Sequence, residues 1–445
     1  MYEIGQFING EHVIAPNNKT LAIINPAHDE RIGTLQMASS DQVELAIKSA
    51  QDAFPAWSTS SPLKRARILF RFKALLEDNM QALATLITNE HGKTLDDAKG
   101  SIMRCIEVVE HNCGIASHLK GDYSDSVGRD IDTYTMRQPL GVCAGVSPFN
   151  FPVMVPTWMM IPAIACGNTF ILKPSEQTPA ASLRLVELLH EAGLPKGVVA
   201  LLNGDKHVVN TLLQDSRIQT MTAVASTPVA EYIYQEAAKH GKRSHTFGGA
   251  KNHCIVMPDA NIKQTAKAIA GASFGAAGER CMALSVAVVV GDETADKLIT
   301  AMQNEIKKIK VGSGLEADSD MGPLINRAHM NKVSDYIALG IEEGATILND
   351  GRNIYPDNLG YYVGPTLFDQ VTESMRIYQE EIFGPVLCII RMPSFDDAVA
   401  LINRHQFGNG TAIFTNDGFA ARSFAHQIQV GMVGINIPIP VPVAY

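Results

Sequence analysis

Short apolar runs alternate with amphipathic segments along the chain from residue 141 to residue 241. The runs have the length and the β-branched content of buried strands, and they are GVCAGV (141–146), NTFILK (168–173), VVALLNG (198–204) and IQTMTAV (218–224). Between and after them, apolar residues recur at helical spacing in 178–195, 206–215 and 227–239. This alternation predicts a parallel sheet with helices on both faces and right-handed crossovers, a doubly wound domain of the nucleotide-binding type.

The last of these helices carries clear end signals. Thr227 is expected to cap its N-terminus, Pro228 lies in the first turn, and Gly241 follows the last turn. A capped helix directly after a strand presents backbone N–H groups and a positive dipole to an anion, so VASTPVAEY (224–232) is a candidate phosphate site. A plain helix cap is the alternative, and this segment alone does not decide between them.

Two further segments bear on nucleotide binding. GSGLEA (312–317) matches the G-x-G-x-x-G/A pattern, but the DSDMGPLI that follows cannot open a helix of useful length. Because the pattern works by placing a pyrophosphate on a helix N-terminus, we expect no cofactor there. Lys173 and Glu176 follow the second predicted strand, where such domains place ribose-binding groups; a solvated loop is the alternative.

The remaining segments suggest the domain organisation. Residues 41–118 are mostly helical, 119–139 are polar and turn-rich and predict an antiparallel excursion, and a second strand–helix series begins after residue 250. Asn9-Gly10 predicts a tight hairpin turn. The expected domains are a first from 1–118 and 140–249, a second from 250–432, and a small β element from 119–139 and 433–445.

Composition argues against several classes of partner. The 445 residues carry a formal net charge of −9 without a cluster of Lys and Arg, which argues against nucleic acid and anionic membranes. The longest apolar run, 153–166, is too short to cross a bilayer, and prolines interrupt it. The N-terminus shows no signal-peptide pattern, so we expect a cytoplasmic protein, or a mitochondrial-matrix one if a targeting segment is missing.

Cysteine and histidine usage points to a reducing compartment without a metal site. Seven cysteines lie at irregular spacing with no Cys-x-x-Cys, and the thirteen histidines form no zinc-binding pattern. Cys281 stands apart, since it follows a glycine-rich run and directly adjoins Arg280. A buried structural cysteine is the usual interpretation, but an adjacent guanidinium would favour a thiolate and hence a nucleophile. The other cysteines are expected to be structural: Cys105, Cys113, Cys143, Cys166, Cys254 and Cys388.

Four segments together carry a resemblance to a known family. PFNFP (148–152), LKPSEQTP (172–179), the cysteine loop and EEIFGPV (380–386) resemble the NAD(P)-dependent aldehyde dehydrogenase superfamily, over essentially the whole chain. KNHCIVMPDA and GERCMA look like its coenzyme A-acylating branch, which acts on methylmalonate semialdehyde. The resemblance implies an α/β fold with a doubly wound NAD-binding domain, an α/β catalytic domain and a small β oligomerisation element.

The resemblance also implies roles for particular residues. Cys281 matches the nucleophile, and Asn150 matches the side-chain half of the oxyanion hole. Arg280 and Arg104 match the arginines that hold the substrate carboxylate, although helical periodicity alone places Arg104 on an exposed face. The positions that match cofactor contacts are Phe149, Lys173, Glu176, Ser226, Glu381 and Phe383.

The chain departs from the family pattern in three places. Ala223 and Ala225 stand where an aromatic residue and a glycine are usual, which puts the approach to the pyrophosphate in doubt. Thr246 replaces the glutamate that activates the deacylating water in hydrolytic members. Family members continue for some tens of residues beyond Tyr445, so we expect the C-terminal strand of the oligomerisation element to be incomplete.

The implied activity is NAD-dependent oxidation and decarboxylation of methylmalonate or malonate semialdehyde. A thioester on Cys281 would pass to coenzyme A, giving propionyl- or acetyl-coenzyme A. NAD is expected over NADP, because Glu176 would repel a ribose 2′-phosphate. Two alternatives are kept: a hydrolytic aldehyde dehydrogenase that forms a free carboxylate, and a non-catalytic relative that only binds nucleotide. The expected partners are a small semialdehyde and further copies of the chain in a dimer of dimers.

Overall fold

The computed structural model describes residues 2–15, 19–352, 354, 359–439 and 441. Up to residue 247 the strands are β1 (Tyr2–Ile4), β2 (Gln6–Ile8), β3 (Glu11–Val13), β4 (Thr20–Asn25), β5 (Glu30–Gln36), β6 (Tyr123–Gly128), β7 (Ile131–Tyr134), β8 (Val142–Val146), β9 (Thr169–Lys173), β10 (Val199–Leu201), β11 (Ile218–Val224) and β12 (Arg243–Phe247). The helices of this part are α1 (Ser40–Ser58), α2 (Pro62–Asp78), α3 (Met80–His91), α4 (Leu95–Cys113), α5 (Ile115–His118), α6 (Met154–Ala165), α7 (Pro179–Glu191), α8 (Lys206–Gln214) and α9 (Thr227–Lys239).

A second series of elements follows residue 250. Its strands are β13 (Asn252–Val256), β14 (Leu284–Val290), β15 (Thr346–Asn349), β16 (Thr366–Asp369), β17 (Val386–Met392), β18 (Gly410–Phe414) and β19 (Met432–Ile435). Its helices are α10 (Ile262–Phe274), α11 (Asp292–Ile306), α12 (Arg327–Glu342), α13 (Arg376–Gln379), α14 (Phe395–Asn403) and α15 (Gly418–Gln427), with a 3₁₀ turn at Gly275–Gly278.

In the described part of the chain, two seven-stranded sheets form the framework. The first has the order β12-β11-β8-β9-β10-β2-β3, and the second has the order β15-β16-β17-β14-β13-β18-β19. The strands from β12 to β10 in the first sheet and from β16 to β19 in the second pair in parallel, as the alternation of strands and helices predicted. Strands β8, β9 and β13 are buried at every residue, which explains why they appear in the sequence as continuous apolar runs.

The N-terminal segment completes the first sheet. β2 and β3 form an antiparallel hairpin, with Asn9 and Gly10 both at positive φ (53° and 78°), as the Asn-Gly pair predicted. β2 then joins β10 in antiparallel fashion. A further sheet of three strands has the order β1-β5-β4, and β4 and β5 were not predicted from the sequence.

The helices of residues 41–118 begin at clear caps. Ser39 caps α1 in a reciprocal capping box with Gln42, Ser61 caps α2, and Thr94 caps α4. The apolar face of α4 is buried among α2, α3 and α6 in the core of the first half. This packing fixes the start of α4, which borders the candidate site.

The domain boundaries stay a prediction. The chain passes from the first sheet to the second close to residue 249, where the boundary between the first two domains is expected. β12 ends at Phe247 in the first sheet and β13 begins at Asn252 in the second. Residues 119–139 contain the exposed antiparallel hairpin β6–β7, in agreement with the expected excursion. The expected boundary at 432 falls inside β19, which pairs with β18; residues 440 and 442–445 of the expected oligomerisation segment lie outside the described residues.

Candidate active site

The loop that carries Cys281 is built on a left-handed turn. Ala276 and Ala277 have φ values of 50° and 52°, which non-glycine residues seldom adopt, and Gly278 follows at 73°. A Cβ atom at Gly278 would lie 2.2 Å from the main-chain oxygen of Gly384, so only glycine fits. The turn therefore brings the cysteine loop directly against the EEIFGPV segment.

Two asparagines hold the main chain at Cys281. Asn252 donates from Nδ2 to the oxygens of Cys281 (2.8 Å) and Ala283 (2.9 Å). Asn409 donates to the same Cys281 oxygen at 3.1 Å. Sequence reasoning missed both residues, because each is a lone polar residue: Asn252 is the first residue of β13, and Asn409 directly precedes β18.

Burial dominates the electrostatics of the Cys281 thiol. It raises the thiol pKa to about 11, and the Glu381 carboxylate acts in the same direction. The backbone N–H groups of Cys281 and Met282 and the ammonium of Lys93 act in the opposite direction. We expected Arg280 to favour the thiolate; its guanidinium is hydrogen-bonded to Asp97, and Lys93 is a cation that lowers this pKa.

Asn150 lies beside the same loop. It is almost completely buried after β8, and its Nδ2 donates to the main-chain oxygen of Glu279 at 3.0 Å. Its own main-chain oxygen accepts a hydrogen bond from Lys93. The two groups expected to perform the chemistry, Cys281 and Asn150, thus lie on adjoining segments.

Both candidate carboxylate-binding arginines line one cavity with Cys281. The cavity has a volume of about 270 Å³, and its apolar lining includes Phe151, Met154 and Trp158. Arg104 is half-exposed, and it donates a hydrogen bond to the main-chain oxygen of Val441 at 3.2 Å. It also lines the cavity, so it contacts both solvent and the cavity. Periodicity alone predicted only the exposed position.

A small second cavity lies on another side of Cys281, lined by Glu381 and Phe383 among others. Phe383 has a φ of 60°, a strained conformation for a bulky residue, and its oxygen is bonded to His329 Nε2 at 2.7 Å. Its ring meets that of Phe149 edge to face at 5.9 Å. The Glu381 Oε1 atom accepts from the N–H of Ala250 at 2.9 Å, and burial raises the pKa of this carboxyl.

The other three candidate cofactor residues lie at one edge of the first sheet. The strand order reverses between β8 and β11, the position at which doubly wound sheets bind ligands. Lys173 ends β9 and pairs with Glu176 at 2.7 Å, while Ser226 follows β11. No contact between this group and Cys281 is shown among the described residues.

The N-terminus of α9 differs in detail from the prediction. Ser226, not Thr227, occupies the N-cap position, and within the described residues no side chain forms a capping hydrogen bond there. Thr227 instead accepts from the N–H of Gly249 at 2.9 Å. A helix N-terminus left without a side-chain cap at the switch point of the sheet suits an anionic group.

Comparison with known proteins agrees with this architecture. The aldehyde dehydrogenase family model matches residues 13–444. The chain belongs to the aldehyde dehydrogenase family. Malonate-semialdehyde dehydrogenase of Pseudomonas aeruginosa is 51% identical over 447 residues, covering 100% of this chain and 90% of that protein.

Solved structures agree as well. A crystal structure of methylmalonate-semialdehyde dehydrogenase from Oceanimonas doudoroffii is 52% identical, with a TM-score of 0.98 over 100% of this chain and 91% of that one. A structure from Sinorhizobium meliloti 1021 in complex with NAD is 48% identical, again with a TM-score of 0.98 over 100% and 91% of the two chains. These matches confirm the resemblance to aldehyde dehydrogenases and to their semialdehyde branch.

The departure at Ala225 does not strain the chain of this aldehyde dehydrogenase. Ala225 lies outside the left-handed region, and its N–H donates to the oxygen of Phe247 at 3.1 Å. Ala223 is buried inside β11 and lies opposite Val146. The two alanines therefore leave the path of the backbone before Ser226 regular.

Sequence reasoning missed a buried cluster behind the nucleophile. Glu279 Oε2 lies 3.6 Å from His91 Nε2, and Glu279 Oε1 lies 3.6 Å from His329 Nε2. Burial raises the Glu279 pKa well above its ordinary value and lowers the pKa of both histidines, so burial favours the neutral form of all three groups. These residues come from three distant segments without a shared motif, so only the fold reveals the cluster.

The described residues contain neither a candidate metal-binding cluster nor a candidate membrane-spanning helix. No group of three or more His, Cys, Asp or Glu side chains suited to a metal ion occurs among them. In the same part of the chain no helix is long and apolar enough to cross a membrane. The six cysteines other than Cys281 are free thiols; five are buried, and Cys166 is partly buried.

Proposed function

We propose that this aldehyde dehydrogenase oxidises and decarboxylates methylmalonate or malonate semialdehyde and transfers the remaining acyl group from Cys281 to coenzyme A. The observation that carries the proposal is the cavity in which Cys281 lies with Arg280 and Arg104. Its volume of about 270 Å³ suits a short substrate. Arginine binds carboxylates through paired N–H groups, which favours an aldehyde that carries an acid group.

NAD is the cofactor that the residues fit. The uncapped N-terminus of α9, next to Ser226, would hold the pyrophosphate, and Lys173 and Glu176 would hold the adenosine ribose. Glu381 and Phe383 would hold the nicotinamide end, because they line the small cavity beside Cys281. When bound, NAD accepts the hydride that the oxidation releases.

The nucleophile and its neighbours account for the remaining chemistry. The Cys281 thiolate adds to the aldehyde carbon, and the Asn150 amide with the Cys281 N–H would hold the resulting oxyanion. Oxidation leaves a malonyl-type thioester. The bond from its α-carbon to the carboxylate then breaks, carbon dioxide leaves, and the electron pair forms an enolate that the same donors stabilise. Protonation of the α-carbon gives a propionyl or acetyl thioester.

Thr246 supports coenzyme A as the acyl acceptor. A hydroxyl cannot act as a general base at neutral pH, so water attack on the thioester lacks assistance from this position. A thiol is partly ionised and intrinsically nucleophilic, so it needs less help. The coenzyme A thiolate would attack the thioester carbonyl, and Cys281 would leave as a thiolate.

One observation favours the hydrolytic alternative. Glu381 shares the small cavity with Cys281, and burial raises the pKa of its carboxyl above the ordinary value. A carboxylate with a raised pKa next to a thioester is a candidate base for water. Under this alternative, Glu381 replaces the family glutamate, and the product is a free acid.

Product analysis separates the two functions. The purified enzyme is supplied with methylmalonate semialdehyde and NAD, with and without coenzyme A, and the products are identified by mass spectrometry. Stimulation of turnover by coenzyme A with propionyl-coenzyme A as product supports the proposal, and Thr246→Glu should then raise the rate without coenzyme A. Full turnover to a free acid without coenzyme A would establish the hydrolytic function. Cys281→Ala should abolish NADH formation in either case, while Cys166→Ala should retain it.

A further inference from the structure

Lys93 is a buried lysine at the candidate active site that the proposed chemistry does not yet use. It is 1% exposed, and it lines the cavity that contains Cys281. Its Nζ donates to the main-chain oxygen of Asn150 and lies 4.2 Å from the centre of the Phe151 ring. Burying an ammonium costs free energy unless a nearby group compensates for the lost water.

Close backbone packing holds Lys93 in this position. It lies in the short linker between α3 and α4, against the segment 312–322. A Cβ atom at Gly314 would lie 2.3 Å from the Lys93 oxygen, and one at Gly322 would lie 1.9 Å from the Gly92 oxygen. The first of these glycines belongs to GSGLEA, so this glycine-rich segment has a packing role here. The backbone at Lys93 is therefore packed directly against the segment 312–322.

Several charged groups act on Lys93; among those that raise its pKa, Asp97 acts most strongly, followed by Glu279 and Cys281. These titratable or charged groups are Asp97 on α4, His91 on α3, and Glu279, Arg280 and Cys281 on the nucleophile loop. The Asp97 carboxylate is already bonded to Arg280. Burial raises the pKa of Glu279 and lowers that of His91, so burial favours the neutral form of both groups.

We propose that Lys93 stabilises the thiolate form of Cys281 by its positive charge and positions Asn150 by its hydrogen bond to that residue's main chain. It acts through these two residues, and the proposal rests on Cys281 being the nucleophile, as proposed above. The interaction is mutual: Lys93 lowers the pKa of Cys281, and Cys281 raises the pKa of Lys93, which burial lowers to about 8. An opposite charge close by typically changes a pKa by about 1–3.

The test is the pH dependence of Cys281 alkylation in the enzyme without substrate or cofactor. Iodoacetamide reacts with the thiolate, and mass spectrometry of the Cys281 peptide gives the rate. Lys93→Met should lower the rate at pH 8 about tenfold and move the profile to higher pH. Lys93→Gln retains a donor toward Asn150 without the charge and should behave like Lys93→Met. Lys93→Arg retains the charge and should stay within about threefold of the unmodified enzyme.

Lys242→Met is the matched control. Lys242 is also buried, and it directly precedes β12 of the first sheet, whereas Cys281 precedes β14 of the second. It donates to the main-chain oxygens of Asp215 and Ile218. This variant should leave the alkylation profile unchanged. The proposal is overturned if the neutral Lys93 variants keep the original profile, if Lys93→Arg reacts as slowly as they do, or if Lys242→Met gives the same change. Because the assay contains no coenzyme A, its outcome is independent of the acyl acceptor.

Discussion

The carboxylate of Asp97 binds both Arg280 and the loop that carries Cys281. Its Oδ1 is bonded to the Arg280 guanidinium, and its Oδ2 accepts from the N–H of Ala276 at 2.9 Å. Ala276 is the first residue of the left-handed turn that leads to Cys281. A residue in the first turn of α4 thereby holds both the proposed substrate-binding arginine and the loop that leads to Cys281.

Asp97→Ala should destabilise the protein by about 1–3 kcal/mol, because it leaves a partly buried guanidinium and a backbone N–H without their acceptor. Thermal unfolding measures this loss. Asp96→Ala is the control, since Asp96 is exposed in the same helical turn and shares any favourable interaction with the helix dipole. If both variants unfold at the same temperature, the carboxylate of Asp97 does not hold the loop.

Arg280→Leu and Arg104→Leu should affect acidic and neutral aldehydes differently. Losing a hydrogen bond to a charged group costs about 1.5–3 kcal/mol, so Arg280→Leu should reduce kcat/KM for methylmalonate semialdehyde about 10- to 150-fold. Propanal lacks the carboxylate and should be affected much less. Arg104 is half-exposed and should give the smaller effect. Equal losses on both aldehydes would assign the arginines a structural role.

Most of the fold follows from local sequence signals, and the site follows only in part. The strands from β8 to β11 are largely apolar and short, and apolar residues recur at helical spacing in α7, α8 and α9, so the positions of these elements could be predicted closely. β4 and β5 were missed because they mix polar and apolar residues and are stabilised by pairing with each other and with β1. Pairing between distant segments leaves no local signal.

Local sequence signals also explain which of the site residues could be predicted from the sequence. Cys281, Asn150 and Glu381 lie in motifs that resemble a family, whereas Lys93 and Asp97 lie in a segment that indicates only a helix start. The adjacency of Arg280 and Cys281 in sequence suggested an electrostatic effect, but the guanidinium turns to Asp97 instead. Sequence neighbours share a backbone, and their side-chain partners depend on the tertiary fold.

Glu176→Gln should weaken the preference for NAD. Glu176 is held by Lys173 at 2.7 Å, and like charges brought together at a binding site cost several kcal/mol. Without the carboxylate, Lys173 is free to pair with a 2′-phosphate, so the ratio of kcat/KM for NADP to that for NAD should rise about tenfold or more. Glu191→Gln, at the exposed end of α7, is the control. An unchanged ratio would remove Glu176 from cofactor selection.

Glu279→Gln should make stability less dependent on pH. Burial raises the pKa of Glu279 well above the ordinary carboxyl value, so between the unfolded and the folded pKa the folded protein holds one proton more than the unfolded chain does. The stability due to this proton is fully present below the unfolded pKa and is lost as the pH rises toward the folded pKa, by about 1.4 kcal/mol per pH unit. Glutamine cannot titrate, whereas Glu90, which burial also keeps protonated below a pKa of about 8, titrates in both proteins. Between pH 6 and pH 8 the unfolding free energy of Glu279→Gln should therefore fall less steeply than that of the unmodified enzyme, and parallel curves would mean that Glu279 is ionised in the folded state.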